Sequence, residues 1–395
     1  MINVKRASDI IQSSSKLSSV ESIALDQAQK RILAKDILAT REQPPFDRVA
    51  MDGIAIYFDT VINKEYPTQG IQAAGSPQLT LANKENCIEV MTGSILPVGC
   101  NCVVPYEKID INNQIATINE TALKIYQNIH PKGSDYNKGD TLIKSHTIIN
   151  SPVSAIIASQ GTPKVDVFKT PKLAIISTGS ELVDLGESAK EYQIYMSNSY
   201  AIETELHNFG IHNCTRVHIS DDPKTTHTKI EDCLNNYDIL ILTGGVSKGK
   251  FDYVPETLNQ LGVEKLFHKI EQKPGKPMWY GTFENKQIFA LPGNPVSSLV
   301  CLRRYVIPSL FKNIQSKMLT QKCILTKDIH FKKKFTLFAP VTVSGSDDAE
   351  LRATPIKGNG SGDFFSLGNS SGFVELPPNK EVFKKGEIYS YYEWG

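Results

Sequence analysis

The chain has 395 residues, with 43 lysines and arginines against 42 aspartates and glutamates, and a formal net charge of +1. With 40% hydrophobic and 22% charged residues, it has the composition of a folded protein. This excludes a disordered chain and a protein that binds nucleic acid through its overall charge. At roughly 150 residues per domain, the length predicts two to four domains.

The cysteines and the N-terminal segment indicate the cellular compartment in which the protein is expected. The seven cysteines are scattered and include no C-x-x-C pair, which argues against a disulfide framework or a zinc ribbon. We expect reduced, mostly buried thiols, Cys100 and Cys102 among them. No apolar run resembles a signal peptide or reaches the ~20 residues of a membrane helix. The sequence therefore predicts a soluble, cytoplasmic protein with neither a membrane nor a nucleic-acid partner.

The first third of the chain changes character twice. Apolar residues recur at three- and four-residue steps from Ile10 to Leu38, which predicts helix as far as Pro44. Residues 46–138 instead contain short strand-like runs separated by turn signals, and they predict a small β-rich module. A further helix is predicted after Ser151, with Ser151 as its cap and Gly161 at its end.

Residues 171–312 alternate short apolar runs with amphipathic segments, which predicts parallel strands covered by helices on both faces. The predicted strands are 173–176, 214–219, 239–242 and 287–291, and the predicted helices are 200–209, 224–234, 254–261 and one from 296 onward. The last ~80 residues return to strands broken by glycine and serine. They predict a small barrel or sandwich.

Four predicted strands of the α/β region end in unusual turns, which are 177–181, 220–223, 243–247 and 292–297. Because the carboxyl ends of parallel strands meet at one edge of a sheet, these turns are expected to converge. Their glycines allow backbone N–H groups and helix N-termini to approach an anion. Any one of these turns alone is also an ordinary connection, so the prediction rests on all four together.

Charged residues add to this predicted site. Three carboxylates are expected near the edge, where a hard divalent cation such as Mg²⁺ fits oxygen ligands: Glu181, Asp221 and Asp252. Three lysines in and near the KPGKP segment supply positive charge: Lys269, Lys273 and Lys276. Asp221 or Asp222 is also the expected cap of the helix that follows Pro223.

Two other sequence patterns are better explained by structure than by function. Residues 244–250 match the G-x-x-x-x-G-K spacing of a phosphate-binding loop, but Phe251 stands where such a loop needs serine or threonine. The run Lys332–Lys334 is best explained as a solvated strand end.

Eight motifs together resemble the molybdopterin molybdenumtransferases, the family of bacterial MoeA and the E domain of gephyrin. They occur in the family's order and span nearly the whole chain: FDRVAMDG (46–53), MTG (91–93), KGSD (132–135), STGSEL (177–182), DDP (221–223), TGGVSKGKFDY (243–253), KPGKP (273–277) and LPGNPVS (291–297). The resemblance implies a multidomain α/β protein whose parallel-sheet molybdopterin-binding domain is of the kind found in molybdopterin adenylyltransferases. The implied domains are a helical and extended linking domain (1–39 with 139–170), an inserted β-rich domain (40–138), the α/β domain (171–312) and a C-terminal β-barrel (313–395).

The resemblance also implies a function and roles for individual residues. The implied reaction is insertion of molybdate into adenylylated molybdopterin, with Mg²⁺ and release of AMP, by a cytoplasmic homodimer. The catalytic residues implied are Asp52 and Thr92 from the partner subunit, with Glu181, Asp221, Asp252, Lys273 and Lys276, the metal lying at Asp221 and Asp252. The substrate-binding residues implied are Asp135, Ser177, Thr178, Gly179, Gly244, Gly245, Ser247, Lys269, Pro292, Gly293, Asn294, Pro295, Ser297 and Ser361.

The sequence departs from the family pattern in several places. The family commonly has other residues at Arg48–Val49, Ile54 and Lys248, and an arginine that it often carries has no match near Pro340. Arg352 is a candidate replacement. Molybdopterin adenylyltransferases and apo-molybdoenzymes are the implied partners. Two alternative functions stay open, a molybdopterin adenylyltransferase and a molybdopterin-binding scaffold without turnover.

Overall fold

A computed structural model describes residues 1–14, 19–60, 63–120, 122–245, 253–311, 320–345 and 350–394. Ser247 and Asp252 of the predicted site, and most of the G-x-x-x-x-G-K match, lie outside these residues. The α-helices are α1 (Val4–Ser14), α2 (Ser151–Ser159), α3 (Asn198–Asn208), α4 (Pro223–Asn236), α5 (Val254–Gln260), α6 (Pro295–Cys301), α7 (Ile307–Leu310) and α8 (Phe364–Gly368). A π-helical turn, Leu302–Val306, joins α6 to α7. None of the helices described is long and apolar enough to cross a membrane.

The strands vary from two to ten residues in length. In the first half of the chain they are β1 (Val20–Ala24), β2 (Ile37–Leu38), β3 (Arg48–Val49), β4 (Gly53–Ile56), β5 (Glu65–Gln72), β6 (Cys87–Val90), β7 (Cys102–Pro105), β8 (Ile109–Asn112), β9 (Ile115–Ile118), β10 (Ile129–His130), β11 (Thr141–Ile143), β12 (Lys164–Phe168), β13 (Leu173–Thr178), β14 (Leu182–Val183) and β15 (Ile194–Tyr195). In the second half they are β16 (Cys214–Ile219), β17 (Ile239–Thr243), β18 (Glu264–His268), β19 (Gln272–Lys273), β20 (Trp279–Phe283), β21 (Lys286–Leu291), β22 (Gln321–Leu325), β23 (Ile329–His330), β24 (Thr336–Gly345), β25 (Leu351–Pro355), β26 (Gly372–Leu376), β27 (Val382–Phe383) and β28 (Ile388–Glu393).

The chain forms two compact units. The large unit comprises Met1–Ile23, Ala28–Ile32 and Asp166–Gly395, and the small unit comprises Ala24–Gln27 and Leu33–Val165. The small unit contains a six-stranded sheet in the order β7-β4-β6-β5-β9-β8, so the prediction of a β-rich module is confirmed. The proposed division into four domains is finer than these two units and stays a prediction.

The α/β sheet of the large unit has the order β16-β13-β17-β21-β20-β18. Its first four strands are parallel, as predicted. The sequence did not predict the last two strands of this sheet: β20 runs antiparallel to both of its neighbours, β21 and β18. Two residues connect β20 to β21, and Glu284 there adopts a positive φ of 52°, the conformation of a tight hairpin turn. A hairpin connection needs no crossover helix, so the alternation of strands and helices gave no sign of it.

The C-terminal segment forms a closed barrel. Its strands follow the order β24-β25-β22-β28-β26, and the pairing of β26 back to β24 closes the ring. Of the two predicted alternatives, a small barrel or a sandwich, the barrel is confirmed. Phe338 and Phe373 of the barrel belong to the same buried apolar cluster as Phe289 and Val300 of the α/β domain. This shared core holds the barrel against the domain that carries most of the predicted site residues.

Two local predictions are wrong. The helix predicted from Ile10 as far as Pro44 is wrong beyond α1, because the segment contains the short strands β1 and β2, which pair with the distant strands β12 and β11. Tertiary pairing overrides the local apolar spacing there. The cap of α2 is Asn150, not Ser151, because its side chain accepts a hydrogen bond from the Val153 amide at 3.1 Å.

Candidate active site

Four strands of the α/β sheet end side by side. In the parallel registers, Thr178 lies beside Ile219, Ser177 beside Thr243, and Thr243 beside Leu291. The turns that follow β13, β16, β17 and β21 are therefore neighbours along one edge. The predicted convergence of these turns is confirmed by the strand registers.

The turns after β13 and β16 are joined by a reciprocal pair of hydrogen bonds. The Ser180 amide donates to Asp221 Oδ2 at 3.0 Å, and the Asp221 amide donates to Ser180 Oγ at 3.0 Å. Glu181 follows in the same turn, and its carboxylate lies over Gly179, where an added Cβ would come within 2.6 Å of Glu181 Oε2. Two carboxylates are thus positioned at this part of the edge, one of them held by a backbone amide.

The neighbouring residues Asp221 and Asp222 have different structural roles. Asp222 is the N-cap of α4, since its Oδ2 accepts a hydrogen bond from the Thr225 amide at 2.7 Å. Bonds from Thr225 lower the pKa of the Asp222 carboxyl, its hydroxyl first and its amide second. The cap therefore needs only Asp222. Asp221 is left to face the sheet edge, so the structure decides a question that the sequence left open.

Glycines allow the turns after β17 and β21 to approach the turn after β13. Gly244 and Gly245 have positive φ values of 89° and 65°. A Cβ on Gly244 would lie 2.8 Å from the carbonyl oxygen of Thr178, and a Cβ on Gly293 would lie 3.5 Å from Gly244 Cα. Only glycine fits at Gly244, because any other residue would be strained at this positive φ and its Cβ would clash with the backbone of Thr178. The backbones of these turns therefore lie close together at this edge.

A cavity of about 530 Å³ lies between the α/β domain and the barrel. It is lined by six residues predicted for the site, which are Lys273, Lys276, Pro292, Asn294, Ser297 and Ser361. The structure thus brings together residues from the KPGKP segment, the LPGNP turn and the C-terminal domain. Its volume is in the range of small-molecule sites.

The KPGKP segment is shaped by buried contacts beneath it. β19 pairs in parallel with β24 of the barrel, and Gly275 adopts a positive φ of 88°. A Cβ on Gly275 would lie 2.5 Å from Gln272 Nε2 and 2.6 Å from Cys301 Sγ. Gln272 is buried and accepts a hydrogen bond from the Tyr305 hydroxyl. This support fixes the backbone from which Lys273 and Lys276 extend.

The loop before α8 is bound to the start of α6. Ser361 Oγ accepts a hydrogen bond from Asn294 Nδ2 at 2.7 Å, and its carbonyl accepts one from the Val296 amide at 3.1 Å. Asp363 caps α8 and also accepts from the Asn359 amide at 2.8 Å. Ser361 is thereby held at the wall of the cavity by contacts to the LPGNP turn.

Lys333 was missed by the sequence reasoning, which explained Lys332–Lys334 as a solvated strand end. Lys333 is exposed, but it lines the same cavity as Lys273 and Lys276. Arg352 does not belong to the lining and forms an ion pair with Glu350 at 3.7 Å. Lys269 also lies outside the lining described, in the positive-φ conformation (74°). No local pattern marked Lys333, because its position depends on how the barrel packs.

The remaining predicted residues belong to the small unit. Asp52 Oδ1 accepts two bonds from Thr92, one from its amide at 2.5 Å and one from its hydroxyl at 2.7 Å. The amide bond first, and then the hydroxyl bond, lower the pKa of the Asp52 carboxyl. Asp135 Oδ1 lies 2.8 Å from His130 Nε2, and Arg48 lies 3.0 Å from the other ring nitrogen of His130. The two nitrogens of the His130 ring therefore contact Arg48 on one side and Asp135 on the other.

Replacing Thr92 with valine is expected to raise the pKa of Asp52 part of the way to its ordinary value of 3.8, because one of two donors to the carboxylate is removed. A carboxyl whose pKa is lower in the folded state than in the unfolded state stabilises the fold at pH values above its unfolded-state pKa. This stabilisation is lost as the pH falls through the folded-state pKa. The stability difference between wild type and T92V should thus disappear at low pH. Carboxyl NMR titration measures the shift, and T92S, which keeps the hydroxyl, is the control. An unchanged Asp52 titration in T92V contradicts the assignment.

Comparison with known protein families places this architecture in a class. Residues 2–161 match the MoeA N-terminal region (domain I and II), residues 174–312 match a probable molybdopterin binding domain, and residues 322–394 match the MoeA C-terminal region (domain IV). The chain is thus a multidomain protein built around a molybdopterin-binding α/β domain.

Individual relatives identify the family. The molybdopterin molybdenumtransferase of Synechocystis is 39% identical over 399 residues, covering 100% of both chains. That of Staphylococcus epidermidis is 30% identical and covers 93% of this chain and 89% of its own. The crystal structure of the MoeA protein of Pyrococcus horikoshii OT3 matches with a TM-score of 0.83 at 27% identity, covering 99% of this chain and 100% of its own. The chain belongs to the molybdopterin molybdenumtransferases, enzymes of molybdenum cofactor biosynthesis.

Proposed function

We propose that this chain inserts molybdate into adenylylated molybdopterin, with Mg²⁺-dependent release of AMP, as the last step of molybdenum cofactor biosynthesis. The observation that carries the proposal is the cavity beside the LPGNP turn, which is lined by Lys273, Lys276 and Lys333. Molybdate is a dianion and the nucleotide substrate carries a pyrophosphate. Three lysines at one partly enclosed site offset that charge and attract both anions.

Within this proposal, the cavity binds the oxyanion. Lys273 and Lys276 hold molybdate, with Ser297 and Ser361 as hydroxyl donors, and Lys333 adds positive charge from the barrel. Ser297 is only 4% exposed and lies in the first turn of α6, which begins at Pro295; backbone N–H groups there also favour an anion. Pro292, Asn294 and Pro295 shape this wall.

The sheet edge binds the pterin and the phosphates through backbone groups. We assign this role to Ser177, Thr178, Gly179, Gly244, Gly245, Ser247, Gly293 and Lys269. Glu181 and Asp221 place acidic oxygen ligands at the same edge, and such ligands suit Mg²⁺. Asp221 would hold the ion with Asp252, and the ion would supply charge stabilisation for cleavage of the phosphoanhydride. One oxygen of Asp221 is occupied by the Ser180 amide, which orients the carboxylate for this task.

We further propose that the protein acts as a cytoplasmic homodimer in which the active site is shared. Asp52, Thr92 and Asp135 would then reach the substrate from the β-rich module of the second subunit. A molybdopterin adenylyltransferase would supply the substrate, and apo-molybdoenzymes would receive the product. The paired donors of Thr92 keep the Asp52 carboxylate ionised and oriented, as a charged contact requires.

Replacing Asp221 with asparagine tests the proposal, and its neighbour provides a matched control. In D221N we expect at least a hundredfold lower molybdate-dependent release of AMP, with a higher Mg²⁺ requirement. D222N should retain turnover, because asparagine caps a helix as well as aspartate does. The assay follows AMP and cofactor formation from adenylylated molybdopterin, with purified protein, Mg²⁺ and molybdate.

Three outcomes would contradict the proposal. AMP transfer from ATP to molybdopterin would identify an adenylyltransferase. Tight molybdopterin binding without molybdenum insertion would identify a scaffold. Equal turnover in D221N and the wild type would remove Asp221 from the proposed magnesium site.

A further inference from the structure

A cluster of three metal-ligating side chains lies at the other edge of the α/β sheet. Glu203 and His207 are on α3, and Cys214 is the first residue of β16. Their ligand atoms all lie within 4.8 Å of one another, and all three residues are partly buried. β16 runs from Cys214 to Ile219, so at roughly 3.3 Å per residue its two ends are about 16 Å apart. The cluster is therefore separate from the site that contains Asp221.

The local fold explains why these residues meet. Glu203 and His207 are four positions apart on one helix, so their side chains share a face. α3 ends at Asn208, and Gly210 then turns the chain with a positive φ of 77°. After this turn, Ile211 is buried and β16 begins three residues later. The E-x3-H-x6-C spacing therefore brings a carboxylate, an imidazole and a thiol close together in the fold.

The spacing of the two softer ligands fits a metal ion. His207 Nε2 lies 3.6 Å from Cys214 Sγ. A tetrahedral zinc ion with typical Zn–S and Zn–N bond lengths separates its sulfur and nitrogen ligands by about 3.6 Å. Imidazole, thiolate and carboxylate together suit zinc, whereas Mg²⁺ prefers oxygen alone. The pair therefore needs little movement to bind such an ion.

The neighbouring charges are compatible with a cation. Arg216 Nε contacts Glu203 Oε2 at 3.1 Å, which leaves the second carboxylate oxygen for a metal, and its guanidinium is stacked on Tyr200 at 3.6 Å. The Lys30 ammonium donates to the Asn208 carbonyl at 2.6 Å. The ring of His212 packs against that of His207, with centroids 4.8 Å apart. Burial first, and then His207 and Lys30, lower the pKa of His212.

We propose that Glu203, His207 and Cys214 form a zinc-binding site that links α3 to β16, with an open fourth position. Binding displaces the thiol proton to solvent and changes no oxidation state. Because the bound form is the thiolate, binding releases this proton and should strengthen as the pH rises.

Zinc titration of the full-length, chelator-treated protein tests this site, with excess Mg²⁺ present to saturate oxygen-ligand sites. We expect one zinc ion per chain to bind and to raise the midpoint of thermal unfolding, because the ion binds only the folded state. C214S and H207N should each weaken zinc binding at least tenfold. C233S, which changes another cysteine of the same domain, and H227N, which changes a partly buried histidine on α4, should bind as the wild type does.

Two measurements on the wild type avoid any folding defect of the variants. Cobalt binding should produce a thiolate charge-transfer band, and zinc should slow alkylation of Cys214 relative to its rate without metal, as quantified by peptide mass spectrometry. Zinc affinity equal in C214S, H207N and wild type would overturn the proposal. So would wild-type protein that binds no zinc, or alkylation of Cys214 at the same rate with and without zinc.

Discussion

Replacing Lys276 with alanine is expected to reduce molybdate-dependent turnover by about 10²–10³-fold, the effect of removing one preorganised charge or donor from a developing anion. Lys276 lines the cavity together with Lys273, and its ammonium is held 5.2 Å from the Phe335 ring. Its backbone is fixed by the buried Gln272 beneath the segment. K273A should produce a loss of similar size. Steady-state rates at varied molybdate concentration measure both variants.

The control for these variants is K265A, which removes an exposed lysine from β18, outside the lining of the cavity. K265A should retain wild-type kinetics. K333A is expected to weaken molybdate binding about tenfold, with an effect that decreases at high salt, because Lys333 acts from an exposed loop. Wild-type turnover in both K273A and K276A would refute the assignment of the oxyanion to this cavity.

Replacing Gly53 with alanine is expected to lower the free energy of unfolding of the small unit by roughly 2–4 kcal/mol, in the range of severe overpacking. A Cβ on Gly53 would lie 2.0 Å from the carbonyl oxygen of Val104 and 2.8 Å from Pro105 Cα. These are backbone atoms of β7, which pairs with β4, so the strands must separate. Asp52 precedes this position, and its contact with Thr92 should loosen as well. Urea unfolding and the Asp52 titration measure the two effects.

G70A is the matched control for this substitution. Gly70 lies on β5 of the same sheet, where a Cβ would meet only Leu79 Cδ1 at 3.9 Å. G70A should therefore change stability by less than about 0.5 kcal/mol. Equal stability of G53A and G70A would show that β4 and β7 can separate at little cost.

The convergence of the four turns could be predicted from the sequence because these turns follow buried parallel strands. Apolar runs such as Leu173–Ile176 and Ile239–Leu242 are long enough to identify strands, and parallel strands place their carboxyl ends together. The helix predicted from residue 20 onward failed for the opposite reason. β1 and β2 are short, and their partners β12 and β11 lie more than 100 residues away, so no local pattern reports the pairing.

Composition and the succession of motifs determined, without any structure, a folded multidomain protein and the family to which it belongs. Near-zero net charge excluded a generally basic protein, and the glycine-rich turns predicted an anion site at one sheet edge. Only the tertiary structure decided that Asp222 rather than Asp221 caps α4, that the sheet gains an antiparallel hairpin, and that Lys333 lines the same cavity as Lys273 and Lys276. Each of these outcomes depends on contacts between residues that are distant in the sequence. Such contacts are set by the packing of the folded chain, so no local sequence pattern reports them.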